Sequence, residues 1–295
     1  MNRHTIWDDA TVYFTRLEMG GNRFFSQSIE SPPLSEHLDN TTVHVPEIHG
    51  PGRYDVGADT IVGDLDPAFY IVQWNRDDCP TIIYHHGNDE HPFDFSPRSR
   101  NTFHHIFLNN KKMMDVNLIT LRAPFHDSGS REYYGKMVSL SHFAAMLCVS
   151  VKLIEHLVTF AGQGSKAKVV VAGISLGGFI TNLHRTFYNT ASAYVPLLAG
   201  SAFGDVFVAS QFSRLTGKQA LRHPDAVRSI LNFEEDFSRV KDHNVFPLLA
   251  GYDRYVEYDR QSTCYGDLPI RVIKRGHITA AMSGDLLREH ILEHV

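Results

Sequence analysis

The chain has 295 residues, 28 Lys+Arg against 33 Asp+Glu and a formal net charge of −5, with 43% hydrophobic and 21% charged residues. These are the proportions of a soluble globular protein, and so mildly acidic a chain is a poor general nucleic-acid binder, because phosphate neutralisation needs a basic face. The apolar content suffices for a sizeable core without disulfide or metal staples; the one unusual count is 18 histidines, which raises the question of metal or acid–base chemistry.

The first residues, Met-Asn-Arg-His-Thr-Ile-Trp-Asp-Asp, include acids and no apolar run of the ~7–15 residues that a secretory signal carries. Residues 1–65 hold short apolar pieces broken by Ser31-Pro32-Pro33, Gly50-Pro51-Gly52, Gly57 and Gly63. They are expected to form loops, a short helix and one or two edge strands. After Pro67 the pattern changes to strand-length apolar runs alternating with helical stretches. The expected strands are 68–74, 81–85, 116–121, 168–173, 193–199, 245–250 and 268–273. Nearly continuous β-branched runs such as Val169-Val170-Val171-Ala172 suit strands covered on both faces of a parallel sheet. Residues 140–160, 176–190 and 284–294 carry helical spacing, so right-handed crossovers and one doubly covered sheet follow. The stretch 143–160 is interrupted by Ser150, Lys152, Glu155 and His156 and suits a largely buried helix, not an integral membrane span. Residues 200–244 lack an evident strand and read as a small helical insertion, one crossover helix with long loops being the alternative. Cys79, Cys148 and Cys264 are far apart and form no C-x-x-C pair. They argue against a disulfide framework or zinc site and fit a cytoplasmic, reducing setting.

One motif carries chemistry. The strand at 168–173 runs into Gly173-Ile174-Ser175-Leu176-Gly177-Gly178 and then a helix, which is G-x-S-x-G between strand and helix. So tight a turn needs glycines two residues either side of Ser175, and it holds the serine hydroxyl at a helix N-terminus, where backbone N–H groups stabilise negative charge. A serine needs a base, and the base an orienting acid. The strand at 245–250 leads into Gly251-Tyr252-Asp253, and the strand at 268–273 leads into Gly276-His277. Strand ends on one edge of a parallel sheet point the same way, so Ser175, Asp253 and His277 can meet; Glu257, Asp259 and Asp205 are alternative acids. Acyl transfer to Ser175 would also need donors for the tetrahedral oxyanion that forms on the attacked carbonyl. The Leu176 N–H is one, and the strand at 81–85 ends in His86-Gly87-Asn88, which assigns the second to Asn88, with Gly87 as the near alternative. His86 is then structural.

These four pieces together resemble the α/β-hydrolase superfamily, in its serine-esterase and lipase-like branch, over roughly residues 68–295. The resemblance implies an α/β-hydrolase fold: a mostly parallel central sheet of about eight strands flanked by helices. A small helical cap at 200–244 follows the sixth strand, counting one N-terminal edge strand. Residues 1–65 then form an N-terminal extension packed on a catalytic domain at 66–295. It also implies a Ser–His–Asp triad, an acyl-enzyme intermediate, a small-molecule acyl substrate and no cofactor. The early loop continues as Asp89-Glu90-His91-Pro92, an acidic continuation that departs from the apolar or glycine-rich sequences common there. Phe203, Phe207 and Phe212, with Gly87, are expected to shape the substrate pocket. An ester or thioester is the leading substrate. The same triad serves an amide or peptide, and a non-catalytic binding protein on this scaffold is a third reading that a complete triad disfavours.

The remaining histidines give no metal site. His290-Ile291-Leu292-Glu293-His294 matches the H-x-x-E-H string but has no downstream sequence for a further ligand, and reads as an exposed helix face. The pairs His85-His86 and His104-His105 would face opposite ways on a strand. His91, His126 with Asp127, and His142 are candidate pocket residues.

Overall fold

In the computed structural model, which describes residues 3–96, 99–109, 114–127, 129–163 and 166–295, the chain opens on a helix, α1 (Arg3–Glu18). This 16-residue helix is additional to the loops, short helix and edge strands expected over residues 1–65. Its apolar residues point several ways: Val12 is buried while Ile6, Trp7, Tyr13, Phe14 and Leu17 stay exposed, so no single apolar stripe announces a helix. After α2 (Leu34–Asp39), β1 (Thr42–His44) pairs with β3 (Gly57–Asp59) as a separate antiparallel ribbon. Strand β2 (Gly52–Asp55) instead joins the main sheet at its edge.

The apolar runs become the rest of that sheet: β4 (Ala68–Gln73), β5 (Thr81–His85), β6 (Asn117–Arg122), β7 (Val169–Ile174), β8 (Ala193–Leu197), β9 (Leu248–Ala250) and β10 (Arg271–Ile273). The eight strands lie in the order β10-β9-β8-β7-β5-β6-β4-β2. The block from β6 to β10 is parallel, and β4 and β2 close one edge with antiparallel pairings. The chain leaves β5 to lay β6 on one side, then returns to lay β7 on the other. A crevice therefore opens where the C-terminal ends of β5 and β7 diverge, the place where open α/β sheets bind ligands.

Helices α3 (Ser130–Lys136), α4 (Leu140–Gly162) and α5 (Leu176–Phe187) occupy the crossovers. Four short helices lie between β8 and β9: α6 (Phe203–Val208), α7 (Lys218–Arg222), α8 (Pro224–Leu231) and α9 (Glu234–Arg239). The chain finishes with α10 (Tyr258–Ser262), α11 (His277–Ala281) and α12 (Gly284–Leu292). Helix α4 is long and apolar enough to cross a membrane by length and composition, but its most apolar window is 72% buried against α2, α5 and the sheet. It is a core helix.

Strands β9 and β10 begin later than their apolar runs, because Pro247 and Pro269 lack the N–H that a ladder uses. Pro196, inside β8, has a longer reach. On its β9 side the Tyr194 N–H donates to Asn244, the Phe246 N–H to Tyr194, and the Leu198 N–H to Leu248. The donor owed to the Phe246 carbonyl is the one that proline lacks, and His290 Nε2 supplies it at 3.0 Å. His290 is therefore buried, not on an exposed helix face. His290, Glu293 and His294 bring donor atoms within 4.8 Å of one another. The Arg271 guanidinium, 3.0 Å from Glu293 and 3.5 Å from His290 Nδ1, already supplies the positive charge there.

Candidate active site

Strand β7 ends at Ile174 and α5 begins at Leu176, so Ser175 alone makes the turn, at φ 53° and ψ −113°. A non-glycine residue in that region is strained and is held only by its surroundings. The flanking glycines let those surroundings close in. A Cβ on Gly173 would stand 2.4 Å from the Gly177 carbonyl oxygen, and one on Gly177 would stand 2.2 Å from that of His85.

Asp253 follows β9 and His277 is the first residue of α11, beyond β10. Ser175 Oγ lies 3.0 Å from His277 Nε2, and His277 Nδ1 lies 2.6 Å from Asp253 Oδ2. The other carboxylate oxygen of Asp253 accepts the N–H groups of Tyr255 and Val256, both at 2.8 Å. A carboxylate so placed keeps the proton on Nδ1 and leaves Nε2 free to accept from the serine hydroxyl. Burial opposes the imidazolium, but the charge and hydrogen bond of Asp253, with the charge of Asp8 behind them, outweigh it and raise the His277 pKa. Both ring nitrogens are thereby used, which leaves no place for Glu257 or Asp259. Asp205 is held by Arg228 at 2.6 Å and Arg260 at 2.7 Å.

The Leu176 and Asn88 N–H groups meet no acceptor among the described residues. The Gly87 N–H does: it donates to Glu90 Oε1 at 2.8 Å, and a Cβ on Gly87 would stand 2.5 Å from that oxygen. Glycine at this position makes room for the Glu90 carboxylate. Glu90 also accepts the Thr102 N–H at 2.8 Å, so the acidic continuation of the loop is its brace. Burial raises Glu90 to about 7, against the lowering pull of its Thr102 and Gly87 donors. His86 secures the other side. Its Nδ1 donates to the Gly87 carbonyl at 2.6 Å and its Nε2 accepts the Ala123 N–H at 3.0 Å.

Other histidine expectations change. The rings of His85 and His86 stack 4.7 Å apart, because His86 lies past the end of β5 and the strand alternation has stopped. His104 and His105 sit in a π-helical turn rather than a strand. His126 is buried between His86 and Tyr133, at 4.5 and 4.4 Å. Neither it nor His91 or His142 lines the two cavities at Ser175.

The smaller cavity, about 30 Å³, is walled by Phe143, Phe179, Phe203, Phe207 and Phe212, with Ser175 and Asn88 among its polar edges. The larger, about 500 Å³, runs from Ser175 and His277 past Gly87, Asp89 and Arg100 to Thr15 and Glu18 of α1. Phe203 and Phe207 thus fall where they were expected, and Gly87 lies on the larger cavity. Sequence reasoning missed Phe143 and Phe179, which look like ordinary core positions of α4 and α5, and the whole α1 wall. The site combines a serine, a base with a fixed tautomer, and two N–H donors that meet no acceptor among the described residues, beside a small apolar space and a wider one of mixed lining.

No protein-family model matches the sequence, and no curated protein matches it. Solved structures do. Acetyl xylan esterase 1 from Thermoanaerobacterium sp. is 12% identical, with 96% of this chain and 98% of that one covered at a TM-score of 0.57. The acylaminoacyl peptidase of Pyrococcus horikoshii is 16% identical, TM-score 0.54, over 86% of this chain but only 40% of its own. An alpha/beta hydrolase from a Medee basin deep-sea metagenome library is 12% identical, TM-score 0.51, over 78% of this chain and 94% of its own. At these identities the likeness is one of fold.

Proposed function

The chain has the α/β-hydrolase fold, and on it we propose a serine hydrolase that cleaves carboxylic esters or thioesters of short acyl groups through an acyl-enzyme. The observation that carries this reading is the unbroken Ser175–His277–Asp253 hydrogen-bond chain, at 3.0 and 2.6 Å, beside the unpaired N–H groups of Leu176 and Asn88. Ser175 Oγ attacks the acyl carbonyl and its proton passes to His277 Nε2. The Leu176 and Asn88 N–H groups hold the oxyanion that forms. As the intermediate collapses, His277 returns the proton to the departing alkoxide or thiolate. Water then enters by the same route in reverse and releases the acid.

Cavity size supports a short acyl group. A space of about 30 Å³ walled by phenylalanines takes only a few non-hydrogen atoms, whereas the leaving group has about 500 Å³ of cleft with both apolar and charged walls. That one similar structure is named an acetyl xylan esterase agrees with a small acyl group on a bulky alcohol.

The test is labelling by a fluorophosphonate probe together with kcat/KM for p-nitrophenyl acetate and octanoate. The expected result is a label on Ser175, acetate preferred by roughly tenfold or more, and loss of both label and turnover in a folded Ser175→Ala variant. Retained turnover in that variant, or no label on the wild-type protein, sinks the reading.

A further inference from the structure

Helix α11 begins at His277, so the N–H groups of His277 and Ile278 are among the orphan donors that every helix N-terminus leaves. Its N-cap is Gly276, which has no side chain to accept them. The acceptor arrives from the far end of the chain. Asp8 of α1 is fully buried; its Oδ2 takes the His277 N–H at 3.0 Å and the Arg254 N–H at 3.2 Å, and its Oδ1 takes the Ile278 N–H at 3.0 Å. One carboxylate thus ties together the two segments that carry His277 and Asp253. The absence of a Cβ on Gly276 is what admits it, since that atom would stand 2.9 and 3.1 Å from the Asp8 oxygens and 2.8 Å from the His4 carbonyl. Tyr255 adds to the clamp, its hydroxyl donating to the Asp8 carbonyl at 2.6 Å and its ring lying 4.9 Å from that of His277.

We propose that Asp8 is a positioning residue for the His277 base: it fixes the start of α11 so that the imidazole meets Ser175, and it places a second negative charge behind the imidazolium. Other charged groups around this point do different work. From α1, Asp9 binds Gln211 at 2.6 Å and Arg254 at 2.8 Å, and His4 lies 3.0 Å from the Thr279 hydroxyl. From the turn after β9, Asp253 bonds the imidazole directly, the Arg254 side chain faces Asp9, and Glu257 feels Arg254 and Asp253. Asp8 alone combines a carboxylate with the backbone of the histidine.

The inference rests on His277 acting as the base, and fluorophosphonate labelling of the wild-type protein tests that reading separately. Asp8→Asn keeps the shape of the side chain, removes its charge and replaces one accepting oxygen by a donor. On a p-nitrophenyl ester, kcat should fall by roughly 10–100-fold with KM changed little. The acid limb of the kcat/KM profile should move to lower pH, because the imidazolium has lost a stabilising anion. Asp9→Asn, which loosens the same helix without touching His277, should lower Tm and leave that limb in place. If Asp8→Asn does not fold, Asp8→Glu keeps the charge and displaces the carboxylate, and should lower kcat with the acid limb retained. An unchanged acid limb in Asp8→Asn, whatever its Tm, or wild-type kcat in Asp8→Glu, overturns the proposal in a protein that still labels at Ser175.

Discussion

Phe207→Ala tests where the acyl group sits. The Phe207 side chain is 2% exposed, and its ring lies 4.9 to 5.5 Å from those of Phe25, Phe24, Phe143 and Phe203. Truncation removes the shared wall between this aromatic cluster and the small cavity, at a stability cost of about 3–5 kcal/mol. It also deepens the cavity. If the acyl chain enters there, each added methylene that becomes buried gains about 0.8 kcal/mol. Four methylenes, from acetyl to hexanoyl, then amount to about 3 kcal/mol, or roughly two orders of magnitude in relative kcat/KM at about 1.4 kcal/mol per tenfold. Neighbouring rings will relax into part of the space, so roughly tenfold is the smaller expected change. The assay is kcat/KM over p-nitrophenyl acetate, butyrate, hexanoate and octanoate, with Tm measured alongside and Phe207→Leu as the milder variant. A folded Phe207→Ala protein with the wild-type chain-length profile would refute the placement of the acyl group among these phenylalanines.

Two further expectations concern a brace of the loop after β5 and a brace of the sheet. Burial raises Glu90 from 4.5 to about 7, so the folded protein binds a proton that the unfolded chain has released. Its contribution is full below pH ~4.5 and is lost as pH rises through about 7, with an upper bound of about 3 kcal/mol from that difference. Tm should therefore fall between pH 6 and pH 8, and fall less in Glu90→Gln; equal slopes in the two proteins exclude Glu90 as the titrating group. His290→Leu orphans the Phe246 carbonyl and should cost about 1–3 kcal/mol by chemical denaturation, with fluorophosphonate labelling of Ser175 per folded molecule unchanged. A variant as stable as wild type would remove His290 from the sheet.

The placement of the candidate site residues was readable where local pattern governs it. Ser175 stands out because Gly173 is forced by the Gly177 backbone within one strand–turn–helix unit, and Gly177 by the backbone of the neighbouring strand at His85. Asp253 and His277 follow because each ends a parallel strand, and parallel strands bring their C-terminal ends to one edge. The strand starts were misplaced where Pro247 and Pro269 interrupt apolar runs, since hydrophobicity continues through a proline but a hydrogen-bond ladder does not. Asp89-Glu90 looked like a departure from the expected loop. It is instead the means by which this loop is held: Glu90 takes the Gly87 and Thr102 N–H groups and leaves that of Asn88 free.

What the sequence hid has a common physical form, a side chain serving a backbone group far away in the chain. Asp8 and the His277 N–H are 269 positions apart, and His290 and the Phe246 carbonyl are 44 apart. Backbone donors and acceptors are the same at every residue, so no pairing of side-chain types marks such a contact in advance. What does mark it is a residue that cannot meet its own local obligation. Pro196 lacks a donor in the middle of a sheet, and Gly276 lacks a capping side chain at the start of a helix. Each vacancy obliges some polar group elsewhere to fill it, because a buried N–H or C=O without a partner costs about 1–3 kcal/mol. The helix that carries Asp8 is therefore part of the setting of His277, although its own pattern of apolar residues gives no hint of it.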